Sequence, residues 1–426
     1  MSLHHLLDVT ISRRGVNRRS FIQEIAAGAA VAGAVNFRDL MTLQAGELRK
    51  QGMSMILLWM AGGPSQLETF DPKPKTENGG PTEAIDTAVP GIRIAKGWEN
   101  CAKTMKEIAL VRSLNNKEGQ HQRATYQLHT GYVPSGSVRY PHFGSAVAKE
   151  LATAAHDLPA VVSVGATENA GFLGVDYEPF VVQNPGQLPR NMAVPVETAR
   201  LQRRLGLLDK LDDDFGSRGG SAAVANHKQL YGKTSRLVLS PDVKAFDLSK
   251  EPESLTRKYG DTQFGKGCLL ARRLVESGVT FVEVRSNGWD THQENFTAVG
   301  NKAKEVDPAM AALITDLKER GLLEKTLVVW MGEFGRTPKV NPRNGRDHFP
   351  RVFNAAVAGG GIRGGQVIGE SSDDGMTVKN DPVSVHDLLR SFCQALKVNP
   401  AKENVSPQGR PIKIVDGGKA VAKLFG

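Results

Sequence analysis

Residues 309–330 present a helix, a stop and a buried strand in immediate succession, and that order limits what the chain can fold into. In "AMAALITDLKERG" (309–321), Met310, Leu313, Ile314 and Leu317 fall at i, i+3, i+4 and i+7, one face of a helix. Gly321 supplies a stop, and "LVVW" (327–330) follows as four apolar residues in a row. A strand without polar alternation needs cover on both faces, as in a parallel sheet with helices packed on either side. The alternation recurs along the chain. "MSMILLWM" (53–60), "IALVRS" (108–113), "LPAVVSVG" (158–165), "TFVEV" (280–284) and "FNAAVAGGG" (353–361) are further strand candidates, and "LLARRLVESG" before "TFVEV" is a helical pattern. The expected class is α/β with a central, mostly parallel sheet. Residues 195–260 are richer in charge, as in "LDKLDDDFG" (208–216), and read as a helical insertion on the same domain.

In sheets of this kind ligands sit at the carboxyl ends of the strands, so polar residues just after a strand carry the functional signal. Behind "LVVW" stand Glu333 and Arg336. Behind "TFVEV", the run "RSNGWDTHQENF" brings Asp290 and His292, and "NPRNGRDHFP" brings Asp347 and His348. Carboxylates and imidazoles converging from separate strand ends are the donor set of a divalent metal, with Zn or Mn favoured over Ca or Mg. Each pair alone has a plainer reading: a capping Asp with a surface His, a loop turn, a local ion pair. Three such pairs following strands on one sheet edge make the joint plain reading the weaker one. "KEGQHQRATYQLHTGY" (117–132) adds His121, Arg123 and His129 in a helix opening after a glycine, where free N–H groups favour an anion. The first strand ends in "AGGPSQLETFDPKP" (61–74), whose paired glycines permit close backbone approach and whose Ser65 is a further polar candidate.

Composition narrows the partners. The net charge is +9, of which +2 lies in residues 1–34, where four arginines face Asp8 and Glu24. The rest is spread without a Lys/Arg block interleaved with aromatics, which argues against nucleic acid and fits an anionic substrate. Cys101, Cys268 and Cys393 form no CxxC pair and no disulfide framework. "NRRSFIQ" (17–23), followed by "AAGAAVAGAV" and the A-x-A pattern at 32–34, looks like a twin-arginine export signal. Residues 35–50 would then be a linker and 51–426 one α/β domain, in the periplasm or outside the cell. No later stretch reaches the ~20 apolar residues of a membrane-spanning helix. Nothing in the sequence fixes an oligomeric state.

Several motifs in order resemble one family. "MAGGPSQLETFDPKP", "FDLSKEPESLTRKYGDTQFGKGCLLARRLVESGVTFVEV", "GWDTHQENF", "GEFGRTP" and "GRDHFP" are similar to the DUF1501 family of exported proteins. That family is distantly similar to the alkaline phosphatase and sulfatase superfamily. The resemblance implies an alkaline-phosphatase-like three-layer sandwich and a hydrolase holding one or two metal ions. It implies metal ligands at Asp290, His292 and His348, with Asp347 and Ser65 as further candidates. Glu333 would be a ligand or general base, His121 an acid/base, and Arg123 and Arg336 the grip on the anionic group. Two positions depart from the superfamily pattern. Phe334 stands where its members carry a metal-binding His, and Gly119 occupies the position of the sulfatase nucleophile. The expected activity is therefore hydrolysis of a phosphate or sulfate ester, on a small molecule or a glycan, by metal-activated water. The alternative is a non-catalytic protein that binds a glycan or a partner on a degenerate sulfatase-like fold.

Overall fold

The computed structural model describes residues 52–152, 157–189, 192 and 196–426. The twin-arginine segment (1–34) and the linker (35–50) lie outside the described residues. The strands numbered below are those of the main sheet, and the helices those of nine residues or more.

The main sheet has nine strands: β1 (Ser54–Ala61), β2 (Ile108–Asn115), β3 (Val161–Val164), β4 (Phe180–Val182), β5 (Phe281–Asn287), β6 (Thr326–Met331), β7 (Phe353–Ala358), β8 (Gln366–Ile368) and β9 (Val383–Ser384). Eight follow the order β8-β2-β7-β6-β1-β5-β3-β4, and β9 also pairs with β2. All pairings are parallel except those of β7, which runs antiparallel to both β2 and β6. The expectation of a mostly parallel sheet is met. The reversal of β7 was not foreseen, because an apolar run such as "FNAAVA" is the same in either direction.

The helices are α1 (His121–Thr130), α2 (Phe143–Leu151), α3 (Thr198–Phe215), α4 (Ser221–Leu239), α5 (Gln263–Glu276), α6 (Asn295–Glu319) and α7 (Val385–Ala395). They cover both faces of the sheet, making three layers. Every residue of β1 is buried, and its side chains alternate between two cores. Ile56, Leu58 and Met60 pack with residues of α5 and α6, such as Leu270, Leu274, Leu313 and Leu317. Met55, Leu57 and Trp59 pack with residues of α2 and α7, such as Val147, Leu389 and Phe392. The helix expected over 309–321 is the second half of α6, which continues through Pro308 from Asn295. α3 and α4 form a hairpin, and no residue of α3 is buried.

Strand register places the site. Ala61 pairs with Asn287 and Trp59 with Met331, so β1, β5 and β6 end level with one another. The segments starting at Gly62, Gly288 and Gly332 therefore leave the same edge. Because β7 is reversed, the segment that enters it, carrying His348, arrives at that edge too.

Candidate metal centre

Asp290 and His292 follow β5, Glu333 and Arg336 follow β6, and His121 opens α1 after β2. Gly335–Arg336 pairs antiparallel with His348–Phe349, with His348 opposite Arg336, and this hairpin carries the last histidine inward. Glycines let these loops close on each other. Gly62 has φ +119°, and a Cβ there would lie 2.4 Å from the Asp290 nitrogen. A Cβ on Gly345 would lie 1.9 Å from the His292 carbonyl oxygen. The close approach expected of Gly62 and Gly63 is thus to neighbouring protein: the Asp290 loop and the Phe334 ring.

Donor atoms of His121, Asp290 and His348 lie within 4.8 Å of one another, and His292 adjoins Asp290 and His348. Asp290 Oδ1 lies 3.3 Å from His121 Nε2, 3.2 Å from His292 Nε2 and 3.4 Å from His348 Nε2. The Nε2 atoms of His292 and His348 are 3.0 Å apart. Each ring has an acceptor behind it. His121 Nδ1 is 2.6 Å from Glu333 Oε1, His292 Nδ1 is 2.6 Å from Asp347 Oδ1, and His348 Nδ1 is 2.8 Å from the Gly119 carbonyl oxygen. An acceptor at Nδ1 fixes the proton there, so each neutral ring turns a bare Nε2 lone pair inward. Three lone pairs then face a carboxylate oxygen that the Arg336 guanidinium holds from behind at 2.6 Å, an arrangement that a bound cation or added protons would complete. A tetrahedral ion with bonds of about 2.0–2.1 Å separates its donors by about 3.3 Å, close to the carboxylate–imidazole distances here. The residues fit a divalent metal.

Around this centre the groups are braced. Glu333 is buried, and its Oε1 also accepts from the Gly62 N–H at 2.9 Å. The Arg336 guanidinium is fully buried and donates to Asp290 Oδ1 at 2.6 Å, to the Gly63 carbonyl at 2.8 Å, and to the Gly62 carbonyl. Arg346 is also fully buried, forked against Glu68 at 2.8 and 3.0 Å, and it fixes the chain just before Asp347 and His348. Phe334 lies under the imidazoles, its ring centroid 4.9 Å from that of His121 and 4.6 Å from that of His348.

The electrostatics follow from these contacts. Burial opposes the charge of Asp290, but the Arg336 hydrogen bond and charge, with the imidazoles, hold its carboxyl down at about 2. The hydrogen bond to Glu333 raises the pKa of His121, while burial lowers that of His348. The hydrogen bond from His292 lowers that of Asp347.

The structure brings together His121, Asp290, His292 and His348, with Glu333, Asp347 and Arg336 one contact behind them. Arg123 points elsewhere, forked against Glu118 at 2.8 Å on each arm. Ser65 is fully buried, with no hydrogen-bond partner for its Oγ among the described residues. Arg336 is spent on Asp290 and carbonyl oxygens. A cleft of about 440 Å³ opens beside the centre, lined by Gly62, His121, Asp290 and Glu333, and further along by Gln122, Thr167 and Arg285. Arg285 is the one Arg or Lys among its lining residues, held by Asn287 at 2.8 Å and the Ala166 carbonyl at 3.1 Å.

A second cluster was missed in the sequence. His129, His142 and Glu283 are all buried, and each offers a donor atom within 4.8 Å of the others. Glu283 Oε2 lies 3.2 Å from His129 Nε2 and 3.3 Å from His142 Nε2, and accepts from Thr167 Oγ1 at 2.6 Å. The available signal was Glu283 itself, a carboxylate within "TFVEV". Here one ring is turned differently. His129 Nδ1 donates to the Thr125 carbonyl at 2.8 Å, but His142 Nδ1 accepts the Gly144 N–H at 2.8 Å. The His142 proton is therefore on Nε2, where it donates to Glu283, and that nitrogen has no lone pair to give.

No curated protein matches the sequence. A sulfatase from Pseudoalteromonas sp. has a TM-score of 0.39 at 14% identity, over 90% of this chain and 72% of its own. A lipoteichoic acid synthase from Listeria monocytogenes has 0.41 at 10%, over 86% and 75%. A phosphonate monoester hydrolase of Agrobacterium radiobacter has 0.35 at 12%, over 88% and 77%. At these scores the likenesses carry no weight for the site, and the sheet order above stands on its own. The sequence match is of another kind: the profile described as "Protein of unknown function (DUF1501)" matches residues 53–425, the whole of the sheet and the site, and the chain belongs to that family.

Proposed function

We propose that the protein is an exported, metal-dependent hydrolase of phosphate or sulfate esters carried by a small molecule or a glycan. The observation that carries the reading is the convergence of three tautomer-fixed imidazoles on Asp290 Oδ1 at 3.2–3.4 Å. His121, His348 and Asp290 would hold one ion, with His292 beside Asp290 and His348 as a further donor; the nitrogen-rich donor set favours Zn, with Mn next. When bound, the ion supplies a Lewis acid for an ester oxygen and lowers the pKa of a water. Glu333, Asp347 and the Gly119 carbonyl keep the rings turned inward. Arg336 is the buried counter-charge of Asp290. Arg285, braced on the cleft wall, takes the part first expected of Arg123 and Arg336 and grips the anionic group. Gly119 offers no nucleophile, so the attacking group would be water. One of its protons would end on the departing alkoxide oxygen by way of solvent in the cleft, since Glu333 is buried and already accepts from His121 and Gly62.

The test combines metal analysis with turnover. Purified protein should carry about one equivalent of Zn or Mn and hydrolyse an aryl phosphate or an aryl sulfate, with Arg285→Ala raising KM. Protein that takes up no metal after supplementation and turns over neither ester would overturn the enzyme reading. It would leave the binding-protein alternative. Export is tested separately: Arg18 and Arg19 both changed to Lys should keep the protein in the cytoplasm, and undiminished periplasmic recovery would contradict it.

A further inference from the structure

One buried carboxylate joins the segments that carry Asp290, His292 and His348. Glu68, in the segment that leaves β1, is 6% exposed, and each of its oxygens takes two donors. Oε1 accepts from Arg346 Nη2 at 2.8 Å and from Thr82 Oγ1 at 3.0 Å. Oε2 accepts from Arg346 Nε at 3.0 Å and from Asn295 Nδ2 at 2.7 Å. A carboxylate occupied in this way has no lone pair left for an ion or a substrate.

Two of its partners lead to the centre. Asn295, fully buried at the start of α6, accepts through Oδ1 from Thr291 Oγ1 at 2.6 Å, and Thr291 stands between Asp290 and His292. Arg346 directly precedes Asp347 and His348, and its backbone N–H donates to the Thr291 carbonyl at 3.0 Å. Its guanidinium also donates to the carbonyls of Thr337, just past Arg336, at 3.1 Å and of Asn78 at 2.8 Å. The loops after β1, β5 and β6 and the one that enters β7 are thus tied together through one side chain. A second buried fork serves other ends. Arg272 of α5 lies 2.6 Å from Glu251 and 3.0 Å from Asp316 of α6. It braces the end of α5 that leads into the start of β5, on the opposite edge of the sheet from the centre.

We propose, on the reading of the centre as a metal site, that Glu68 is its positioning residue. Without touching Asp290, His292 or His348, it sets where they stand and so how tightly they hold an ion. Donors of such a site need placement to within about 0.5 Å, and loops leaving separate strands do not supply that alone. Groups behind the ligands supply it, typically for about 10–100-fold in affinity.

Chelator competition for Zn, beside urea unfolding of the same proteins without metal, tests this. Glu68→Gln should weaken Zn binding about tenfold or more. It should also lower the urea midpoint, since Arg346 is left buried without its counter-charge. Glu68→Gln combined with Arg346→Met leaves no unpaired charge and should unfold at higher urea than Glu68→Gln alone. It should bind Zn no better, because the loops are still untied. Glu251→Gln should lower the midpoint and keep wild-type affinity. Loaded with Co²⁺ instead, both Glu68 variants should show a shifted ligand-field band and the Glu251 variant the wild-type one. Affinity that follows the urea midpoint through all these variants overturns the positioning role and leaves the metal site standing. Wild-type affinity with an unmoved band in the double variant does the same. Wild-type protein that takes up no Zn overturns the metal reading itself, and the role of Glu68 with it.

Discussion

One helix serves two histidine–carboxylate clusters of nearly the same composition and opposite character. His121, at the start of α1, enters the cluster with Asp290, and His129, two turns on, enters the one with Glu283. Each ring donates through Nδ1 and turns Nε2 toward a carboxylate. The difference lies in the remaining rings. In the open cluster Asp347 and the Gly119 carbonyl stand behind His292 and His348, so every ring offers a lone pair. In the buried cluster the Gly144 N–H stands behind His142 and turns that ring into a donor. Glu283 accepts from it, and although burial opposes a proton on His129, the adjacent carboxylate raises the His129 pKa above its ordinary value. One cluster presents the donor set of a candidate metal site and the other closes on itself through hydrogen bonds to Glu283. The group behind each ring decides which, and the list of residue types does not.

The sharpest way to break this contrast is to remove one member of each cluster and measure bound metal. His348→Ala should lose the ion, weakening retention by at least about a thousandfold, since removing a direct ligand costs more than the 10–100-fold typical of its outer partners. Glu283→Gln should keep the wild-type stoichiometry. Elemental analysis after dialysis checks both, and the reverse pattern would exchange the two assignments.

Stability should show the opposite ranking. Glu283→Gln removes the buried acceptor and charge shared by His129, His142 and Thr167 and should cost roughly 3–5 kcal/mol in urea unfolding. Asp347→Asn, whose side chain is about half exposed (53%), should leave the urea midpoint unchanged. It should still weaken metal binding roughly 10–100-fold in competition with a chelator, because the amide no longer fixes the His292 tautomer as firmly. A large loss of stability in Asp347→Asn would mean that the open cluster is structural as well.

How much of this was legible beforehand depends on range. The α/β class and the strands behind Asp290 and Glu333 were readable because buried strands write themselves as apolar runs. The rule about strand ends brought Asp290, His292 and His348 to one edge, whereas His121 was noted apart from them, on the helix that opens after a glycine, as an acid/base. What could not be read was orientation. The reversal of β7, which brings His348 to the edge, leaves no trace in an apolar run. Arg123 stands two residues from His121 and so faces another side of α1, where Glu118 takes it. Arg336 was expected to grip the substrate, but its partners are the carbonyls of Gly62 and Gly63 and a carboxylate forty-six residues earlier in the chain. Asp347 and Glu333 were noted as metal-site candidates, yet each lies behind a ring, at a distance no spacing encodes. Glu283 was visible as an anomaly in "TFVEV", but its two histidines come from separate segments.

The smallest expected effect concerns pH, and it isolates the buried pair. Glu283 is held well below the ordinary carboxylate range: burial opposes its charge, and the His129 charge and the imidazole hydrogen bonds outweigh burial. Its stabilising share is complete above the unfolded value of about 4.3 and is lost only in strong acid. His129 is raised, so its share is complete below about 6.5 and disappears as pH climbs through its folded value. His142 acts in the other direction, because burial lowers its pKa and the unfolded chain takes up that proton first on acidification. The advantage of wild type over Glu283→Gln should therefore be greatest near pH 5–6 and shrink toward pH 9. Urea midpoints of the two proteins across that range, without metal so that the open cluster adds no binding energy, give the comparison. A difference that stays constant to pH 9 would mean that His129 holds its proton throughout. One that grows with pH would contradict the ion pair.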